Sequence, residues 1–379
     1  VIVQGDCLTV LPTLDACSFD AIVTDPPAGI AFMGKSWDKD KGGRDHWVAW
    51  MAKVAAECLR VVKPGAHALV WALPRTSHWT ATAWEDGGWE VRDRVSFIFG
   101  TGFPKSLNLD GGLGTALKPA LEDWWLMRKP LVGTVAANVE QFGTGALNVN
   151  ACRIETDSPR PNRGKHSERP ESGSASSFDL GSGHVLPNTS VGRWPANLIT
   201  DGSAEIAAMF PQTITGSGNK NPNGSHSWEG GPLKPTNTVC DGDTGSASRF
   251  FYGAKATRAD REEGLEAFLP KQRDDSRKDG NPGGNNPRNR GLQPRRNTHA
   301  TVKSTSLMRY LCKLITPAGG HILDPFAGSG STGKAAALER YRFTGIEQDA
   351  DFCEIARARI AWAEAHRSPE QLSLLGEAI

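Results

Sequence analysis

Apolar and polar positions along the first third of the chain alternate in a way that separates short strands from amphipathic helices. Val1-Ile2-Val3 and Ala21-Ile22-Val23-Thr24 have strand character, and the second run stops at Asp25-Pro26-Pro27 because a proline pair cannot continue a hydrogen-bonded ladder. Trp47, Trp50, Met51, Val54, Ala55, Cys58 and Leu59 recur at the three-to-four spacing of one helical face, and Lys63-Pro64-Gly65 is expected to end that helix. Strand-like runs follow at residues 67–73, 91–99 and 124–127, with a helical stretch around 76–84. This alternation predicts a mostly parallel sheet with helices on both faces.

From about residue 156 to 299 the pattern dissolves into Gly, Ser, Asn, Pro and Arg. Stretches such as 171–177 and 281–286 hold too little apolar surface to offset the entropy of ordering, so flexible loops are expected there. Two islands, Trp194-Pro195-Ala196-Asn197-Leu198-Ile199 and Ser248-Arg249-Phe250-Phe251-Tyr252, are apolar enough to dock, which suggests an inserted lobe of partial order. Order returns with the helical stripe Leu307, Met308, Leu311, Leu314 and Ile315, stopped at Pro317-Ala318-Gly319-Gly320. A strand at 321–324, a glycine-rich turn, a helix, a strand at 343–347 and a last helix then form a βαβα unit.

Composition narrows the class. Lys plus Arg number 43 against 42 Asp plus Glu, a formal charge of +1, so nucleic-acid binding would need a local patch. The seven cysteines are scattered and never spaced C-x-x-C, which argues against a disulfide framework or a structural metal and for a reducing, cytoplasmic setting. No apolar run approaches the roughly 18 residues of a membrane span, and the first residues do not resemble a signal peptide, so no membrane partner is expected.

Gly328-Ser329-Gly330-Ser331-Thr332-Gly333 satisfies G-x-G-x-x-G between a strand and a helix, and Glu347 stands at the end of the next strand. Glycines admit close backbone approach, and a carboxylate accepts two ribose hydroxyl hydrogens, so a nucleoside cofactor is expected. The pattern alone does not separate a dinucleotide from S-adenosylmethionine. Asp25-Pro26-Pro27 is either a strand-ending turn or a grip on an aromatic amine. In the second case an Asp25 oxygen and the Pro26 carbonyl would accept both N–H bonds and localise the nitrogen lone pair for attack on a methyl group.

Together these segments resemble the β-order amino-group DNA methyltransferases, in which the catalytic motif precedes the cofactor motif. Asp25-Pro26-Pro27-Ala28 resembles their D-P-P-Y, and Asp324-Pro325-Phe326-Ala327-Gly328-Ser329-Gly330-Ser331 resembles their D-P-F-x-G-S-G-[ST] loop. Gly5-Asp6-Cys7-Leu8 resembles the G-D-C-L opening, and residues 299–303 resemble H-P-T-x-K, with Ala300 and Ser304 where prolines are usual. The resemblance covers about 1–130 and 299–365. It implies a seven-stranded, Rossmann-like α/β sheet, circularly permuted, with catalytic and cofactor halves at 1–132 and 299–379 and a target-recognition insertion at 133–298. It also implies S-adenosylmethionine held by Asp6, Cys7, Asp25, Lys303, Asp324, Phe326, Ala327, Gly328, Ser329, Gly330, Ser331, Glu347 and Gln348, with Asp25, Pro26, Pro27 and Ala28 catalytic and no metal. D-P-P favours adenine N6 over cytosine N4 as the target in double-stranded DNA.

Ala28 departs from the family's aromatic residue, which stacks on an extruded base at ~1–3 kcal/mol. Either a substitution here weakens or abolishes catalysis, or Phe32, Trp37 or Tyr252 takes over. Arg288, Arg290, Arg295 and Arg296, with Trp37 and Tyr252, are the residues expected to contact DNA. Gln371-Leu372-Ser373-Leu374-Leu375 resembles the peptide with which bacterial proteins grip the replication sliding clamp. A homodimer is a further expectation. The competing readings are a DNA-binding relative without activity, a nicotinamide dehydrogenase, and a protein-glutamine methyltransferase, which the Asp at position 25 disfavours.

Overall fold

The structure, a computed structural model, describes residues 1–100, 102, 109–155, 192–215, 243–254, 257, 259–271 and 294–367. Arg288, Arg290 and the 371–375 segment lie outside the described residues, as do 171–177 and 281–286.

The strands are β1 (Ile2–Gln4), β2 (Phe19–Thr24), β3 (Val62–Ala72), β4 (Glu90–Ile98), β5 (Leu121–Arg128), β6 (Leu198–Thr200), β7 (Gln212–Thr215), β8 (Asp243–Ser246), β9 (Tyr252–Gly253), β10 (His321–Asp324) and β11 (Arg342–Glu347). The helices are α1 (Cys7–Val10), α2 (Arg44–Val61), α3 (Ser77–Asp86), α4 (Val135–Phe142), α5 (Ala204–Met209), α6 (Ala259–Glu262), α7 (Thr305–Ile315), α8 (Ser331–Leu338) and α9 (Ala350–Ala365). Among the described residues, nine strands form one sheet in the order β1-β11-β10-β2-β3-β5-β4-β6-β9, while β7 and β8 pair separately. All neighbours in the large sheet are parallel except those of β5.

Period-two alternation sorts the strand residues between two layers of helices. Ala21, Val23, Leu69 and Ile322 face α7, α8 and α9; Ile22, Ala68, Val70 and Leu323 face α2 and α3. The apolar stripe of α2 is the expected one, with Trp47, Met51, Val54, Ala55 and Cys58 inaccessible to solvent.

Two expectations are corrected. Among the described residues the sheet has nine strands rather than seven, because the two apolar islands of the central region extend it: β6 pairs with β4, and β9 with β6. An apolar strand placed beside an open edge satisfies its backbone and buries Ile199 in a single step. Lys63-Pro64-Gly65 does not separate helix from strand but lies inside β3, where pairing with β2 jumps from Phe19↔Val62 to Ala21↔His67 and Gly65 adopts φ +74°. The bulge absorbs the proline and glycine.

Because β1, β11, β10, β2 and β3 are parallel, residues 5–7, 25–28, 71–75, 325–331 and 347–349 leave the sheet at one end. Antiparallel β5 brings its beginning, at Leu121 and Glu122, to that same end.

Candidate active site

A cleft of about 2030 Å³ opens there. Drug-sized ligands occupy pockets of ~300–1,000 Å³, so the cleft has room for a nucleoside cofactor and a second planar group. Asp25, Pro26, Pro27 and Ala28 line it together with Asp324 to Ser329, Ser331, Glu347 and Gln348. The two motifs meet because β2 and β10 are adjacent parallel strands, with Ile22 opposite Leu323. A buried bond ties them where they leave the sheet: Thr24 Oγ1 donates to Asp324 Oδ1 at 2.7 Å.

The turn after the prolines is built around Asp38, which is 1% exposed. Its carboxylate accepts the backbone N–H of Ala28 at 2.5 Å, Gly29 at 3.1 Å and Phe32 at 2.7 Å. Thr76 Oγ1 holds the Ala28 carbonyl at 2.9 Å. Charge-assisted bonds of this kind fix the backbone of residues 28–32 and hence the direction of the preceding prolines.

Lys303 enters from the segment preceding α7 and is almost buried. Its Nζ lies 3.2 Å from Asp25 Oδ2 and 3.6 Å from Glu122 Oε2, over the Trp71 ring at 4.1 Å. Trp71 Nε1 donates to Glu122 Oε2 at 2.9 Å. Burial pushes the Asp25 carboxyl up to about 6, against the pull of the Lys303 ammonium, with Glu122 and Asp38 adding to the rise. Burial works against the Lys303 charge, but Asp25 and Glu122 outweigh it and raise its pKa.

On the glycine side, Asp324 is 2% exposed and accepts from Thr24, the Phe326 N–H at 3.1 Å and Thr332 Oγ1 at 2.7 Å. Burial pushes it up to about 6 despite those hydrogen bonds. Its oxygens are occupied within the protein, so it fastens the loop to β2. Glu347 Oε2 accepts the Gly328 N–H at 2.9 Å and Oε1 the Asp349 N–H at 2.8 Å. Each oxygen keeps a lone pair, as two vicinal hydroxyls require. Burial raises its pKa against these backbone bonds. Asp6 caps α1 through the Leu8 N–H, and Cys7 is a buried thiol pushed up to about 12 by burial and then by Asp6. Phe326 packs against Trp50 at 6.0 Å. Gly328 (φ +52°) leaves room for the His299 ring; Gly330 (φ +75°) is not on the cleft wall but packs on Ala356 of α9.

The loop is braced from behind by Arg359, which is wholly buried. Its NH1 donates to the Ser329 carbonyl and to Ser329 Oγ at 3.2 Å, and its NH2 to the Asp260 carbonyl at 2.6 Å. Lys334, also buried, pairs with Glu263 at 2.6 Å. The 259–263 segment thus touches the back of the glycine turn.

The residues expected to meet DNA divide. Trp37 lines the cleft, parallel to His299 at a centroid distance of 6.5 Å. Tyr252 lies away from it, stacked on Tyr310 at 4.3 Å with its hydroxyl on the Ser306 carbonyl. The guanidinium of Arg296 engages the Phe268 carbonyl and Glu262, and the Arg295 backbone bridges Lys271. Exposed Lys35, Arg75 and Lys118 stand on the cleft wall instead. Asp38, Thr76, Trp71, Glu122 and Arg359 were not singled out from sequence. Only Asp38, following the cleft's Trp37, carried a local hint.

Fold and cleft place the molecule among the doubly wound α/β proteins. Residues 219–358 match the family model described as DNA methylase, the N6/N4 type. Over 62 residues it is 40% identical to the type II methyltransferase M2.DpnII of Streptococcus pneumoniae, covering 16% of this chain and 23% of that protein. Over 87 residues it is 33% identical to the DNA adenine methyltransferase YhdJ of Escherichia coli (strain K12), covering 23% and 29%. The chain therefore spans about a quarter of the length of the curated relatives it matches. Among solved structures, the PvuII cytosine-N4-specific DNA methyltransferase superposes with a TM-score of 0.48 at 12% identity, over 99% of this chain and 90% of that one.

Proposed function

We propose that this chain is an S-adenosylmethionine-dependent DNA methyltransferase acting on an exocyclic amino group, adenine N6 first. The observation that carries the reading is the shared cleft: the Asp25-Pro26 turn and the 325–331 turn leave adjacent parallel strands and line one cavity. The donor set fits the cofactor, with Glu347 keeping acceptor capacity for a ribose and Phe326, Ile346 and Phe352 offering apolar walls to a purine. When bound, S-adenosylmethionine supplies an electrophilic methyl group.

The chain's own residues position the nucleophile. Asp25 and the Pro26 carbonyl accept the two amino N–H bonds, which aims the nitrogen lone pair across the cleft. Asp6, Cys7, Phe326, Ala327, Gly328, Ser329, Ser331, Glu347 and Gln348 hold the cofactor, while Gly330 and Asp324 shape its loop. Residues 1–132 and 299–379 serve as the two halves of a circularly permuted catalytic domain, and 133–298 bear target recognition.

Incubating the protein with DNA and labelled cofactor, then identifying the modified nucleoside by mass spectrometry, tests the reading. N6-methyladenine is expected; N4-methylcytosine would transfer the same mechanism to the other base, and no methylated base would defeat it. Trp37 and Phe32, both on the cleft wall, can meet a base in place of the missing aromatic at Ala28. Ala28→Tyr is expected to raise kcat/KM about 10-fold, within the ~1–3 kcal/mol of one base stack, measured by steady-state methyl transfer.

A further inference from the structure

Asp25, Lys303, Glu122 and Trp71 come from four separate segments and meet in one cluster. An ammonium has three N–H donors, and the surroundings of Lys303 supply three acceptors: Asp25 Oδ2, Glu122 Oε2 at ion-pair distance, and the face of the Trp71 ring. Trp71 fixes the Glu122 oxygen through its indole N–H, so that carboxylate cannot swing away. Two carboxylates against one ammonium leave the cluster with a net charge of −1. Were Glu122 absent, Lys303 would neutralise Asp25.

We propose that Glu122 is a positioning residue for methyl transfer: held by Trp71, it draws part of the Lys303 charge from Asp25 and leaves Asp25 a negative acceptor toward the target amino group. The role rests on the proposed function above. It matters because the amino nitrogen gains positive charge as its bond to the methyl group forms, and a preorganised negative charge in a partly desolvated site favours that change. The charged groups facing Asp25 are Lys303 from the segment before α7, Glu122 from β5, Asp38 from its own loop and Asp324 from β10. Of these, Asp38 is committed to backbone N–H groups and Asp324 to two threonine hydroxyls, which leaves Glu122 as the carboxylate that competes for Lys303.

The test uses the full chain. The titration midpoint of Asp25 is followed by carboxyl carbon NMR, assigned with Asp25→Asn, in the native protein and in Glu122→Gln, Lys303→Met and Trp71→Phe. Glu122→Gln is expected to lower the midpoint and Lys303→Met to raise it, each by a threefold or larger change in proton concentration. In methyl-transfer assays Glu122→Gln should lower kcat at least 10-fold with KM for S-adenosylmethionine unchanged, and move the acid limb of the pH profile in the same direction as the midpoint. Trp71→Phe, which keeps every charge but releases Glu122, should lower kcat and move the acid limb in the same direction as Glu122→Gln by a smaller amount; it also serves if Glu122→Gln does not fold. An Asp25 midpoint that stays or rises in Glu122→Gln, or a kcat that Glu122→Gln leaves unchanged, overturns the inference. If the native protein methylates no base, the proposed function fails and the methyl-transfer role with it, while the NMR midpoints still decide whether Glu122 sets the charge of Asp25.

Discussion

At the scale of single residues, the proposed methyl transfer turns on Asp25. Its carboxyl is a negatively charged, strong acceptor only when ionised, and burial pushes its pKa up to about 6. Below that pH the protonated form predominates and the negative charge of the acceptor is lost, so kcat should rise with pH through about 6 rather than near 4, as a pH–rate profile will check. Replacing Asp25 with Asn, which keeps an acceptor oxygen but removes its negative charge, should lower kcat about 10²–10³-fold, the size of one preorganised electrostatic contact, with cofactor affinity retained in a calorimetric titration. Gly330 is a different kind of residue. At φ +75°, with a would-be Cβ 2.8 Å from Ala356 Cβ, Gly330→Ala carries ~1–2 kcal/mol of left-handed strain plus a clash with α9. A lowered thermal midpoint and weaker cofactor binding are expected together.

At the scale of elements, the glycine turn is held by its neighbours more than by its own sequence. Arg359 on α9 joins the Ser329 carbonyl to the Asp260 carbonyl and so couples the central region to the glycine turn. Arg359→Met keeps the apolar stem but leaves buried carbonyls unsatisfied, at ~1–3 kcal/mol for each group. Denaturant unfolding should register that loss, and KM for the cofactor should rise more than kcat falls. The first strand–turn–helix units were legible in the chain because each is local: β2 ends at a proline pair, α2 shows a clean apolar stripe, and β10 runs into its glycines. The β6 and β9 extension was legible only as apolar character. Which edge those islands would join depends on β4 presenting unpaired backbone groups, and no residue in the islands encodes that.

At the scale of the whole molecule, a nearly neutral chain must gather its cations where DNA would lie. Arg296 is engaged with Glu262 and the Phe268 carbonyl, whereas Lys35 and Arg75 stand exposed on the cleft wall. Replacing Lys35 and Arg75 with alanine should each reduce the slope of log affinity against log salt by about 1, measured by fluorescence anisotropy with duplex DNA. Arg296→Ala should instead lower stability and leave the slope unchanged.

Sequence by itself determined the local pieces: an alternating α/β chain, a carboxylate and proline turn closing one strand, and a glycine turn with a distant acid closing another. Those signals survive without the fold because backbone dihedrals and ladder hydrogen bonding act over a few residues. Only the tertiary structure decided that Thr24 and Asp324, 300 positions apart, would share a hydrogen bond, and that Lys303, Glu122 and Trp71 would surround Asp25. Strand order and register are set by packing between the two helical layers. A buried ion pair between remote segments leaves no periodic trace in the chain that forms it.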